Sequence, residues 1–259
     1  MSEDGATLGV TAEKRITQYS KAQRVFPDLA RPELPIASGT FSAQLPEPAR
    51  GARLGEGPVI VDGHVRASTI SIHNLHLHGE LFTSYLRARH ETFIVGRGWK
   101  LPEVDGMEFD QYDTPLSRCV VLHEYGEILA GIRLTPTTAR CGAYTYMIRD
   151  AQLGMLPDIP SDLLFMEAPV KEHIWEATRL FVSHNVSSDR RLKIQTILMQ
   201  QMALSAQELG ISHIIGIVPA VFQRWMKRIG MSAFPVGPLL SIEGDRTQAA
   251  MMRVGVRSN

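Results

Sequence analysis

Two hydrophobic periods alternate along most of this chain. Residues 68–73 set Ile70 and Ile72 against Thr69 and Ser71, the two-residue period of a half-buried strand. Residues 75–95 then read as a helix, with Leu77, Leu81, Tyr85 and Leu86 on one stripe and Gly96 and Gly98 to end it. Residues 118–134 return to strand periodicity on both sides of Tyr125-Gly126, which predicts a β-hairpin. Residues 175–184 form another strand. A strong helix covers 190–209, with Leu192, Ile194, Ile197, Leu198, Met202 and Leu204 as its apolar positions and Gly210 as its stop. The unbroken apolar run 211–218 suits a central strand buried on both faces. A short basic helix at 220–229 and one or two closing strands complete the order. Strand, helix, hairpin, strand, helix, strand, helix, strand predicts a three-layer α/β protein with a mixed sheet. The unit from 175 to 218 should be a parallel crossover of right-handed sense.

The first part of the chain lacks this rhythm. Pro27, Pro32, Pro35, Pro46, Pro48 and Pro58 break any helix there and leave little to bury. Residues 1–65 are therefore expected to be a largely irregular extension, with a short helix at 12–25, and residues 66–259 the folded domain.

Composition narrows the functional classes. With 259 residues, 44% of them hydrophobic, one sizeable core can form. Lys+Arg and Asp+Glu are equal at 27 each, so nothing points to a nucleic-acid binder. The first ten residues do not read as a signal peptide and no apolar run is long enough to span a bilayer, so a cytoplasmic protein without membrane attachment is expected. Cys119 and Cys141 make no disulfide framework and read as reduced thiols. His73, His76 and His78 have no Cys or Asp to complete a ligand set, so no metal is expected.

Four clusters carry candidate chemistry. Arg89 and Phe93, four apart on one helix face, with Trp99 nearby, can clamp a sulfonium or carboxylate ligand; a packed aromatic pair beside a surface Arg is the plainer alternative. The segment GMEFDQYD (106–113) interleaves Glu108, Asp110 and Asp113 with Phe109 and Tyr112. It can bind a cation or hold Arg side chains, or be a solvated acidic loop. Arg133 shares a strand face with Leu129 and Gly131, and if buried it needs an acid, which the acidic segment can supply. In WEATRLFV (175–182), Glu176 and Arg179 are three apart and point to opposite sides of a regular strand. A common site for both requires a β-bulge. No phosphate-binding glycine loop, dinucleotide fingerprint or nucleophile elbow is present.

Together these clusters resemble the acyl-homoserine-lactone synthases, the autoinducer synthase family. The resemblance runs from about residue 68 to the C-terminus. Its family positions match Arg89, Phe93, Trp99, Asp110, Asp113, Arg133, Glu176 and Arg179. It implies the fold of the GCN5-related N-acetyltransferases, a three-layer α/β/α architecture whose central strands, here near 176–183 and 211–218, splay apart around an acyl thioester. It implies that S-adenosylmethionine is a substrate, with no prosthetic group, and that an acyl group is transferred to its amine before lactone closure releases 5′-methylthioadenosine. By the same resemblance Glu176 is the base and Arg89, Phe93 and Trp99 form or order the S-adenosylmethionine pocket. Asp110, Asp113, Arg133 and Arg179 shape it as an ion-pair network. Gly216 takes a position where members preferring 3-oxo chains tend to carry Thr, which argues against a 3-oxo product and for room at the acyl chain. Arg224, Lys227 and Arg228 are the expected docking patch for an acyl carrier protein, with a coenzyme A thioester as the other donor. A same-fold N-acyltransferase for another amine, and a non-catalytic regulatory homologue, are the competing readings.

Overall fold

The computed structural model describes residues 57–228, 231–242 and 244–254, without the side chains of Gln223 and Arg228. The helix expected at 12–25 and the extension up to residue 56 lie outside the described residues. Strands β1 (Val59–Asp62), β2 (Val65–Ile70), β5 (Arg118–Glu124), β6 (Glu127–Pro136), β7 (Ile174–Val182), β8 (His213–Pro219), β9 (Ala233–Ile242) and β10 (Asp245–Arg253) form one eight-stranded sheet. Its order is β1-β2-β5-β6-β7-β8-β10-β9. Strands β3 (Glu103–Val104) and β4 (Met107–Glu108) pair separately.

The alternation of inward residues assigns the layers. Val120, Leu122, Ile132, Leu134 and Ile214 pack under helix α3 (Ser188–Glu208) and, with Met252, under α4 (Phe222–Arg228). Their sequence neighbours face the other way: Cys119 and Val121 pack under α1 (Leu81–Arg89), and Ile215 and Met251 under α2 (Met147–Gln152). The result is the three-layer α/β/α arrangement that the element order predicts. The β7–α3–β8 crossover gives a parallel pair, while the other described pairs are antiparallel. The predicted hairpin is β5–β6, and Tyr125 (φ 50°) and Gly126 (φ 88°) both take the positive φ that a tight two-residue turn needs.

Several expectations shift. The sheet begins at Val59, so a boundary at residue 65 cuts the β1–β2 hairpin. The signal was weak because β1 is an edge strand: Val59 and Ile60 are exposed, and its ladder, with Val61 packed partly against the core, holds it. The helix expected over 75–95 is three pieces. A 3-10 turn (Leu75–Leu77) ends before Gly79, which takes positive φ; α1 follows, and then a π-helical turn (His90–Val95). Leu77 accordingly stays exposed. On α3, Ile194, Ile197, Leu198 and Met202 are buried as expected, but Leu192 and Leu204 lie on the solvent side. Helix α2 and the β3–β4 pair are too short to have shown a period.

A fork in the sheet positions the candidate site. Strands β7 and β8 pair at Ile174–His213, Trp175–Ile214 and Glu176–Ile215, and the ladder stops there although both strands continue. Gly216 stands at the apex. A Cβ there would come within 2.9 Å of the Ala177 carbonyl oxygen, so glycine is what lets the strands meet this closely before they part. Beyond the apex the facing edges of β7 and β8 have no ladder partner in each other.

Candidate functional site

The acidic segment folds on itself before it meets any arginine. Asp113 donates its N–H to the Asp110 carbonyl at 3.0 Å, closing a turn. Asp110 Oδ1 accepts the Tyr112 N–H at 2.8 Å, and Asp113 Oδ2 accepts the Asp110 N–H at 2.9 Å. The spacing of the two aspartates is thus what allows each to hold the turn and still present its carboxylate to one side. Glu108, two residues before Asp110 in extended chain, shares that side.

Three arginines from three elements meet these three acids. Arg89, in the last turn of α1, donates to Asp113 through both terminal nitrogens at 2.7 and 2.9 Å and to Glu108 through Nε. Arg133, on β6, grips Asp110 at 2.6 and 3.0 Å, touches Asp113 at 2.9 Å and gives Nε to Thr178 Oγ1 at 3.0 Å. Arg179, on β7, reaches Glu108 at 3.0 Å and Asp110 at 2.8 Å. Each acid therefore bridges two arginines and each arginine two acids. The six form a closed, alternating ring of zero net charge. Arg89, Arg133 and Glu108 have no exposed surface at all. Burial alone pushes the Asp110 carboxyl up, but the Arg133 and Arg179 guanidiniums beside it hold it well below the usual carboxylate range.

The bulge expected between Glu176 and Arg179 is present. Two steps along β6, Gly131 to Arg133, span three along β7, Thr178 to Phe181, and Arg179 sits at φ 55°. The bulge turns Arg179 into the ring. Glu176 lies before it, at the last paired position of the fork, and is fully buried. Its two oxygens accept the N–H groups of Met147 (3.0 Å) and Ile148 (2.7 Å) at the start of α2. Burial raises its carboxyl to about 7; the two backbone donors and Arg133 pull against that and Asp150 adds to it. A buried carboxyl that protonates near neutrality has the property a general base needs.

The aromatic cluster differs from the clamp expected from the sequence. Phe93 stacks on Trp99 at 5.1 Å and meets Phe181 edge-on at 5.9 Å. The cation over both Phe93 and Trp99 is the exposed Arg97, at 5.5 and 5.2 Å, with Arg179 also facing Phe93 at 5.8 Å. Arg89 stands over Tyr85 instead, and its guanidinium is enclosed by acids. It cannot grip a ligand directly, because a residue so fully paired has no donor edge left to offer. The π-helical turn between Arg89 and Trp99 produces this separation, re-aiming the chain after α1 through a Trp99 N–H bond to the Phe93 carbonyl at 3.0 Å.

Gly216 meets β7 closely at the fork: the position a Cβ would take lies 2.9 Å from the Ala177 carbonyl oxygen. Arg224 and Lys227 are exposed on α4, apart from the ring; the Arg228 side chain is outside the described residues. A surface cleft of about 550 Å³, lined by Ile60, Arg66, His78, Leu81, His123 and Tyr125 among others, shares no residue with ring or fork. Sequence reasoning named Glu108 in the acidic segment as able to hold an arginine but did not carry it into the ion-pair network, although its two-residue offset from Asp110 could have placed it there. It missed Arg97 and Asp150, for which no sequence signal existed.

Residues 73–258 match the model of the autoinducer synthase family. An acyl-homoserine-lactone synthase of Ralstonia solanacearum is 29% identical over 161 residues, covering 60% of this chain and 74% of the relative. An isovaleryl-homoserine lactone synthase of Bradyrhizobium diazoefficiens is 30% identical over 192 residues, covering 71% of this chain and 78% of the relative. Among solved structures, BjaI, a CoA-dependent acyl-homoserine lactone synthase with MTA, superposes with a TM-score of 0.59 at 25% identity over 74% of this chain and 84% of its own. TofI, in a ternary complex with an inhibitor and MTA, gives 0.58 at 25% identity over 73% and 91%.

Two measurements check this geometry. Arg133→Met leaves Asp110 and Asp113 short of a buried partner and should cost about 3–5 kcal/mol in urea unfolding at neutral pH; a loss below about 1 kcal/mol would show that the ring is not closed around it. Glu176→Gln tests the titration. A carboxyl whose folded value is raised from 4.5 to about 7 loses stability for the fold as pH climbs through that window, because the unfolded chain releases its proton first. The variant does not titrate, so its stability relative to wild type should rise by about 3 kcal/mol between about pH 4 and pH 8. A difference independent of pH would place Glu176 in the ordinary range.

Proposed function

The chain belongs to the autoinducer synthase family and is an acyl-homoserine-lactone synthase, and we propose how its own residues run that reaction. The enzyme is an acyltransferase with S-adenosylmethionine as a substrate. The amine of S-adenosylmethionine attacks the carbonyl of an acyl thioester, the C–S bond of the thioester breaks and an amide forms. The methionine carboxylate then attacks its own γ-carbon, the bond to the sulfonium sulfur breaks, and 5′-methylthioadenosine leaves as the lactone closes.

Glu176 is the base of the first step. The observation that carries this assignment is a fully buried carboxyl, raised to about 7, at the apex of the fork. The nitrogen gives up two protons in becoming an amide: Glu176 takes one as the amine attacks and returns it to the departing thiolate, and the other passes to solvent. Each of its oxygens accepts one backbone N–H and keeps a further lone pair for that proton. The unpaired backbone edges beyond Glu176 and Ile215 suit an acyl carbonyl that gains negative charge during attack. Phe93 and Trp99, with Arg97 over them, line the side for S-adenosylmethionine, while the ring of Arg89, Glu108, Arg179, Asp110, Arg133 and Asp113 orders that wall without touching a ligand. The second step needs mainly a folded-back substrate, because sulfonium already leaves well.

The thioester docks at the exposed cations Arg224 and Lys227 on α4, with Arg228 beside them in sequence. Such a patch suits an acidic acyl carrier protein, and equally the phosphates of coenzyme A. Likeness to the CoA-dependent BjaI supports coenzyme A as the carrier. Both substrates are products of central metabolism, which supports a cytoplasmic site of action. Among the described residues no helix is long and apolar enough to cross a membrane.

Incubation with S-adenosylmethionine and a panel of carrier-protein and coenzyme A thioesters, read by mass spectrometry, should yield an acyl-homoserine lactone together with 5′-methylthioadenosine. An acylated product without methylthioadenosine would mean another amine is the acceptor. Glu176→Gln should lower turnover by about 10²–10⁴-fold with the fold intact; normal turnover would remove Glu176 from the chemistry. Reversing Arg224 and Lys227 to Glu should raise the apparent KM for the best thioester and leave that for S-adenosylmethionine in place. An unchanged thioester KM would move the docking surface elsewhere.

A further inference from the structure

Helix α2 is pinned at its start by two carboxylates, of which the proposed mechanism uses one. Glu176 accepts the N–H groups of Met147 and Ile148. Asp150, one turn further along α2, folds back onto Thr145. It accepts the Thr145 N–H at 3.0 Å and the Thr145 hydroxyl at 2.6 Å. A further donor comes from a distant part of the chain: the Tyr112 hydroxyl reaches Asp150 Oδ2 at 3.0 Å. Tyr112 belongs to the same acidic turn that supplies Asp110 and Asp113, and its ring lies under the Arg133 guanidinium at 5.9 Å. Asp150 and Glu176 are both without exposed surface. A buried carboxylate held by a tyrosine from the ion-pair turn, within the same helical turn that caps the base, is more than a short helix requires.

We propose that Asp150 is a positioning residue for the reaction: fixed by Thr145 and Tyr112, it sets a second negative charge beside Glu176 and so keeps the base able to accept the ammonium proton. The proposal rests on the reading of Glu176 as that base. The groups facing Glu176 from every packed element support it. From β6 comes Arg133, whose charge favours the ionised carboxyl. From the acidic turn comes Tyr112 and from the start of α2 Tyr146, itself near Arg149. Burial holds both phenols protonated far beyond neutrality, so neither supplies charge. Asp150 is the negative group among them that opposes Arg133. Without it, Arg133 and the two backbone donors act on Glu176 against burial alone, and the base becomes weaker.

The pH dependence of kcat/KM tests this. Its acid limb reports deprotonation of the base in the free enzyme. Asp150→Asn keeps acceptor and donor atoms for Thr145 and Tyr112 but removes the charge, so the limb should move down by about half a unit or more. Tyr112→Phe breaks the contact between Tyr112 and Asp150 but leaves the Asp150 carboxylate in place, so the limb should stay where the wild type has it. A shift in one variant and not in the other is a signature that simple loss of packing does not give. An unmoved limb in folded Asp150→Asn, or the same downward shift in both variants, overturns the proposal. If melting curves show that Asp150→Asn does not fold, Asp150→Ser takes its place, with the same downward shift expected and an unmoved limb again overturning the proposal. Glu176→Gln, measured alongside, separates the two readings. Lost activity there with an unmoved limb in Asp150→Asn defeats only the role of Asp150, whereas normal turnover defeats the base assignment itself.

Discussion

Six charges share one buried ring, and the candidate site depends on the ring staying closed. Three arginines and three acids, almost wholly removed from water, alternate so that no charge lacks two opposite neighbours. Such a network adds little stability compared with a well-packed apolar core, since desolvation consumes most of the Coulomb gain. Its contribution is geometry. Its members come from α1, β4, the acidic turn, β6 and the bulge of β7, so satisfying all six fixes five pieces of chain against each other. Bidentate arginine contacts with Asp110 and Asp113 make that fit directional as well as attractive.

The sequence made much of this legible. The hairpin, the long helix α3, the apolar central strand and the acidic partner of Arg133 all followed from period, turn residues and the cost of burying a charge. The bulge in β7 followed from an incompatibility, since Glu176 and Arg179 cannot serve one site on a regular strand. The features that could not be read had physical reasons. Arg89 was expected to hold a ligand because its spacing from Phe93 puts both on one α-helical face. A π-helical turn begins right after Arg89, so that face does not continue, and the arginine turns inward while Arg97 takes the place over the rings. Strand β1 escaped notice because two of its three apolar residues, Val59 and Ile60, are exposed. Helix α2 escaped because six residues show no period, and with it went the cap on Glu176 and the position of Asp150.

Gly216 shows how the same residue supports different arguments at different levels. Compared with family members it reads as space for an acyl chain. In the fold it is the contact point of two strands, with a carbonyl where a Cβ would be. The fork opens because β7 is drawn toward β6 along its bulged length while β8 stays paired with β10. A side chain at the apex would separate the strands sooner and displace Glu176, which is held in the last ladder position.

The division of labour between ring and base turns on Arg133. It stands close enough to Glu176 to draw its proton affinity down, and an unpaired guanidinium at that place would keep the carboxyl ionised and feebly basic. In the ring, Arg133 already serves Asp110 and Asp113, and its Nε is given to Thr178. Two acids screen its field before it reaches Glu176, so burial prevails and the carboxyl rises to about 7. On the proposed role of Glu176 as the base, the neutrality of the ring is a condition for the chemistry beside it. A carboxylate that is to take a proton from an ammonium needs nearby cations kept away or saturated. This chain does the second, so a costly cluster of buried charge lies next to the proposed base.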